Sequence, residues 1–175
     1  MVNFIADLLI QYKAIETGDF TLASGTKSTY YIDVKTAVTN PDLLTAIARL
    51  VAESYEFDIV AGVAVGGVSL AVATALAAKK PYAIIRAAEK SHGKKEMIIG
   101  NVRNKHVLLI EDVTTSGGSA LYGIETLRNA GALADRVVTV VDREQGAEAL
   151  LSQQGIKFLP LVRVSELLKE KQFLP

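Results

Sequence analysis

The sequence predicts an α/β protein, built on a central, mostly parallel sheet flanked by helices. Three observations carry this. Apolar runs without internal alternation recur near residues 58–65, 81–86, 106–111, 136–141 and 157–162, as strands buried on both faces require. Helical patterns near 68–79, 119–130 and 145–153 separate them, and strands alternating with helices build parallel sheets. The chain has 175 residues, 50% hydrophobic and 22% charged. That suits one domain, residues 1–175, with a proper core.

Taken in order, residues 2–16 read as a first helix with Phe4, Ile5, Leu8, Leu9 and Tyr12 on one face. Asn40 caps a second helix, with Pro41 at its first position and Leu43, Leu44, Ile47, Leu50 and Val51 as its apolar stripe. From Ile59 to Ala78 no residue is charged, which is long enough to span a membrane. Gly62, Gly66 and Gly67 interrupt that run, however, and IVAGVAV, GGV and SLAVATALAA read better as strand, turn and packed helix. A terminal helix is expected over 165–171. No repeat, low-complexity tract or linker is visible.

Composition excludes several functions. Lys plus Arg equals Asp plus Glu at 19 each, so bulk charge does not favour nucleic acid and any anion site must be built locally. There is no cysteine, which removes disulfides, thiol catalysis and thiolate metal sites. The N-terminal stretch lacks the basic region of a signal peptide, and a cytoplasmic location without membrane contact is expected.

Three stretches can carry chemistry. In VLLIEDVTTSGGSA, residues 107–120, an apolar strand runs into Glu111 and Asp112. The loop after them holds Thr114, Thr115, Ser116, Gly117, Gly118 and Ser119. Such a loop entering a helix can cradle a phosphate with backbone N–H groups. The acids would repel that phosphate unless they held something between, such as ribose hydroxyls or a Mg²⁺-bound water shell. An ordinary strand-to-helix turn with solvated acids is the bland alternative. In VAVGGVS, residues 63–69, Gly66 and Gly67 permit close approach to a second anion or simply make a tight turn. In IIRAAEKSHGKKEMIIG, residues 84–100, two apolar pieces flank a basic loop with Arg86, Lys90, His92, Lys94 and Lys95. A solvated hairpin tip is the usual meaning of such a run.

VLLIEDVTTSGGSA resembles the phosphoribosyl-pyrophosphate signature of the type I phosphoribosyltransferases, with Glu at its first acid and Ser at its end. The loop R-x-x-x-K-x-H-G resembles that of the orotate phosphoribosyltransferases, with Ala87 where Lys is usual. FTLASGTKSTYYID, residues 20–33, is similar to their N-terminal orotate motif, with Ala23 where some bacterial members have Lys. VVDREQGAEAL, residues 140–150, is similar to their D-R-x-x-G segment. VAVGGVS corresponds to the family's pyrophosphate-binding loop, so the matches fall at five places in their usual order between residues 20 and 146.

The resemblance implies the type I phosphoribosyltransferase fold, with a small N-terminal hood over about 1–35 and a mobile β-hairpin loop over about 86–98. It implies transfer of ribose 5-phosphate from phosphoribosyl pyrophosphate to orotate, giving orotidine 5′-monophosphate and pyrophosphate in pyrimidine (UMP) biosynthesis. Glu111 and Asp112 would hold the ribose hydroxyls and Mg²⁺, through water or through those hydroxyls. Thr114, Thr115, Ser116, Gly117, Gly118 and Ser119 would wrap the 5′-phosphate. Gly66, Gly67, Arg86, Lys90 and His92 would meet the diphosphate, with Lys90, His92 and Asp112 as the catalytic set. Ser24, Lys27, Tyr31, Ile32, Thr115 and Arg143 would surround orotate, Arg143 by pairing with its carboxylate. A homodimer sharing the basic loop across its interface is also implied. A phosphoribosyltransferase for another base, or a non-catalytic sensor of the sugar diphosphate, are the alternatives. The orotate motifs speak against the first and the Lys90–His92 loop against the second.

Overall fold

The computed structural model describes residues 2–21, 27–87 and 97–171. Helix α1 (Val2–Gln11) is shorter than its apolar periodicity suggests. Lys13 takes a left-handed conformation, φ 56°. The Ala14 N–H then donates to the Leu9 carbonyl at 2.8 Å, and the Lys13 N–H to the Ile10 carbonyl at 3.0 Å. This paired return of two N–H groups is a Schellman ending. Ile5, Leu8 and Leu9 are buried, whereas Phe4 lies mostly in solvent.

An antiparallel hairpin follows, β1 (Ile15–Thr21) and β2 (Lys27–Ile32). β1 exposes most of its residues, so it lacks the apolar run that marks a strand in sequence. Asp33 then caps the short α2 (Val34–Ala37) by accepting the Thr36 N–H. Helix α3 (Pro41–Ser54) begins where its cap predicts, the Asn40 side chain accepting the Asp42 N–H at 2.9 Å. Its Leu43, Ile47 and Val51 are buried, with Leu44 and Leu50 packed at the margin.

The main body runs β3 (Ile59–Val63), α4 (Gly66–Ala78), β4 (Tyr82–Ile85), β5 (Ile98–Ile99), β6 (His106–Thr114), α5 (Gly118–Asn129), β7 (Leu133–Asp142), α6 (Ala147–Gln153), β8 (Lys157–Arg163) and α7 (Val164–Lys171). The sheet order is β5-β4-β3-β6-β7-β8. Only the edge pair β4–β5 is antiparallel in this sheet, closing the hairpin expected around the basic loop. The uncharged stretch from Ile59 to Ala78 is β3, a turn and α4. No helix among the described residues is long and apolar enough to cross a membrane.

Strand alternation divides the core between two faces. Val60, Leu108, Ile110 and Val138 pack with α1, α3, α4 and α7. Ala61, Val107, Leu109 and Val137 pack with α5 and α6. After β3 the chain first adds β4 on one side, then crosses to place β6 on the other. The order therefore reverses between β3 and β6, and open α/β sheets bind ligands beyond the carboxyl ends of strands at such a switch point.

Candidate active site

β6 is longer than its apolar run and takes in both acids and Thr114. Alternation sends the two acid side chains to opposite faces. Glu111 turns toward α5, where its Oε1 accepts the Ser119 hydroxyl at 3.0 Å. It is only 4% exposed. Burial is the main cause that raises its pKa to about 7; the Ser119 bond opposes the rise and the neighbouring Asp112 adds to it. Asp112 turns toward α4 and lies against Gly66, so closely that a Cβ there would overlap its carboxyl group. Half-buried, it has no hydrogen-bond partner among the described residues.

The phosphate-type loop is shorter than the sequence suggests. The sequence pattern groups Thr114 with it, but its side chain is an interior group, 4% exposed, whose hydroxyl donates to Thr139 Oγ1 at 2.9 Å. The cause is the length of β6, which carries Thr114 into the sheet. Thr115, Ser116, Gly118 and Ser119 are exposed. Gly117 precedes α5 with φ 87° and no side chain caps the helix. Its first N–H groups and the positive end of its dipole are therefore open to an anion.

α4 starts in a similar way. Val65 precedes it, no side chain caps it, and the Ala64–Val65 peptide is cis. The two glycines divide their roles. Gly67 packs on the backbone, since an added Cβ would sit 2.7 Å from the Ile110 carbonyl oxygen and 2.9 Å from Gly62 Cα. Gly66 makes room for the Asp112 carboxylate. Two uncapped helix N-termini thus follow β3 and β6 at the switch point, and the Asp112 carboxylate lies against the first.

The neck of the basic loop is held at Arg86. Its N–H donates to the Met97 carbonyl at 2.9 Å, and its carbonyl accepts the Tyr122 hydroxyl of α5 at 2.7 Å. Its Nε is buried without a partner among the described residues. Ala87 is exposed. Lys90 and His92 lie outside the described residues, as does Ser24.

At the end of β7, the Arg143 N–H donates to the Thr114 carbonyl at 2.9 Å, which brings Arg143 beside the phosphate-type loop. Asp142, buried, accepts the Glu144 N–H at 2.9 Å and faces Arg163 at 3.5 Å. The Arg143 guanidinium lies over the Tyr30 ring, 5.3 Å from its centroid. The hairpin separates the other expected orotate residues. Ile32 is a core residue, because it follows Ser28 and Tyr30 on the inward face of β2. Tyr31 is 45% exposed and tilts against Phe20. Lys27 donates to the Thr21 hydroxyl at 3.0 Å across the hairpin. Tyr30 and Tyr122 were missed in sequence. Period-two alternation ending at Ile32 offered a signal for Tyr30; nothing local marked Tyr122.

A phosphoribosyl transferase domain model matches residues 34–158. The chain is 69% identical over 168 residues to an orotate phosphoribosyltransferase of Methanocorpusculum labreanum, covering 96% of this chain and 99% of that one. Among solved structures, the orotate phosphoribosyltransferase of Aeropyrum pernix superposes with a TM-score of 0.83 at 28% identity, covering 98% of this chain and 99% of the other. That of Mycobacterium tuberculosis, in complex with 5-phospho-α-D-ribosyl 1-diphosphate, gives 0.79 at 26% identity, covering 95% and 98%.

Proposed function

The chain belongs to the phosphoribosyltransferase family as an orotate phosphoribosyltransferase, and from that premise we propose how its residues divide the reaction. The enzyme transfers ribose 5-phosphate from phosphoribosyl pyrophosphate to orotate, giving orotidine 5′-monophosphate and pyrophosphate for pyrimidine synthesis. One observation carries the division of labour: the uncapped N-termini of α4 and α5 follow β3 and β6, and Asp112 lies against the first of them. The donor has the same order of charge, with a phosphate at one end, hydroxyls between and a diphosphate at the other.

The N–H groups and hydroxyls of Thr115–Ser119 bind the 5′-phosphate, and Gly66 and Gly67 let the start of α4 approach the diphosphate. Asp112 accepts from the ribose hydroxyls. Glu111, bonded to Ser119, supports the loop from beneath and reaches the ribose edge from the α5 side. Arg86, Lys90 and His92 hold the leaving pyrophosphate. Arg143 pairs with the orotate carboxylate, a planar two-point contact that a neutral base cannot make. Orotate N1 attacks C1′ as the bond to pyrophosphate breaks, through a transition state with oxocarbenium character. Preorganised charge on the leaving group is worth roughly 100- to 1,000-fold in rate.

The donor set also fits Mg²⁺, a hard cation that prefers carboxylate, hydroxyl and phosphate oxygens. Asp112 is a carboxylate without a partner among the described residues, and no group of three or more metal-ligating side chains converges among them. Asp112, and Glu111 when ionised, would hold the ion together with substrate oxygens and water. When bound, Mg²⁺ supplies charge neutralisation on the diphosphate.

A homodimer is part of this reading. α4 carries no charged residue, and helices apolar all round are normally buried. Yet Val65 before it is 81% exposed and Leu76 within it 75% exposed. A second copy covering this face would bury them, and the same reading has the two copies share their basic loops across the interface.

The test is an assay of purified protein with phosphoribosyl pyrophosphate, Mg²⁺ and a panel of bases. Orotate is expected to be consumed, with uracil, adenine and hypoxanthine poor. Faster turnover of any purine than of orotate overturns this reading.

A further inference from the structure

We infer that Tyr30 is a positioning residue for orotate recognition, holding the Arg143 guanidinium in place from the N-terminal hairpin. This rests on the reading that Arg143 meets the orotate carboxylate. Hydrogen bonds fix residues 142–144 on several sides. The Arg143 N–H is bonded to Thr114, Asp142 accepts the Glu144 N–H, and Glu144 in turn accepts the Ser165 N–H at 2.9 Å. None of these restrains the long Arg143 side chain. Tyr30 does, with its ring 5.3 Å from the guanidinium carbon.

The choice of an aromatic partner has a chemical reason. A carboxylate beside Arg143 would neutralise it and occupy the in-plane N–H groups that a substrate anion needs. A ring attracts the cation through its face and leaves the in-plane donors free. The Arg143 Nε is buried, with no hydrogen-bond partner among the described residues. Tyr30 is itself well held. It packs against the main core, and the Ser28 hydroxyl donates to its carbonyl at 2.6 Å while accepting its N–H at 3.3 Å. The hairpin therefore does more than cover the sheet. It fixes the specificity arginine.

The experiment compares Tyr30→Phe, Tyr30→Leu and Arg143→Ala by steady-state kinetics in both substrates, with thermal melts alongside. Tyr30→Phe keeps the ring and should leave the KM for orotate within about twofold of wild type. Tyr30→Leu should raise it by roughly 3- to 30-fold, the range of a partly desolvated cation–ring contact. The donor KM and kcat at saturating orotate should stay unchanged. On an Arg143→Ala background, Tyr30→Leu should add nothing further. If the leucine variant does not fold, Tyr30→Met, flexible and without a ring, makes the same comparison. The inference is overturned if removing the ring leaves the orotate KM alone, or raises both KM values together. The two readings fail separately. An Arg143→Ala enzyme with normal orotate KM sinks the assignment of Arg143, whereas loss there without an effect at Tyr30 sinks only the role of Tyr30.

Discussion

The Glu111 carboxyl group accepts a 3.0 Å hydrogen bond from the Ser119 hydroxyl, joining the end of β6 to the first turn of α5 beneath the loop between them. Burial raises the Glu111 pKa from 4.5 to about 7. Between those values the folded protein keeps a proton that the unfolded chain has released. This contribution to stability is therefore fully present below the unfolded value and is lost as pH rises through the folded one, by up to about 3 kcal/mol. Burial also raises the pKa of Asp142, with the same sign. Glu111→Gln removes one of the two. In metal-free, substrate-free protein, melting temperature should fall less between pH 5 and pH 8 for this variant than for wild type. Parallel curves would show that Glu111 does not titrate in this range.

Gly66 and Gly67 should respond differently to alanine. At Gly67 the new methyl meets backbone of β3 and β6, which cannot move cheaply, and a loss of roughly 3 kcal/mol is expected. At Gly66 its nearest neighbours are the carboxyl atoms of the Asp112 side chain, which can rotate away. Gly66→Ala should fold with stability within about 1 kcal/mol of wild type, helped by alanine's helix propensity. Its affinity for the sugar donor should fall about tenfold or more. Calorimetry and donor KM separate the two cases. Equal destabilisation would show that Asp112 is rigidly held.

Ala87 is exposed beside Arg86, so Ala87→Lys should not disturb the fold. The added cation should lower the donor KM by up to about fivefold, equivalent to the ~1 kcal/mol that an exposed ion pair reaches. Unchanged kinetics would show that this position does not face the diphosphate.

The proposed homodimer makes a numerical prediction. If Lys90 acts across the interface while Asp112 serves its own subunit, Lys90→Ala and Asp112→Asn should each be nearly inactive alone. After unfolding and refolding together, half of the dimers are mixed. Each mixed dimer has one intact site, so about a quarter of wild-type activity should return. A loop serving its own subunit gives no recovery at any ratio.

Sequence by itself determined the frame. Continuous apolar runs specified β3, β6, β7 and β8, and Asn40–Pro41 specified the start of α3, because period and capping chemistry are local properties. The acids and the small-residue loop after them were legible for the same reason. Tertiary structure decided where each of those side chains lies. Whether an acid is buried and bonded or left open depends on which helix covers its face, and that separated the surroundings of Glu111 from those of Asp112. Thr114 became interior because β7 extends alongside it as far as Asp142. The end of α1 was hidden because its left-handed residue is Lys13, which carries no breaker signal, unlike Gly131 and Gly155 after α5 and α6. The partnership of Tyr30 with Arg143 spans distant parts of the chain. No local pattern encodes it; only packing the hairpin over the end of β7 brings ring and cation together.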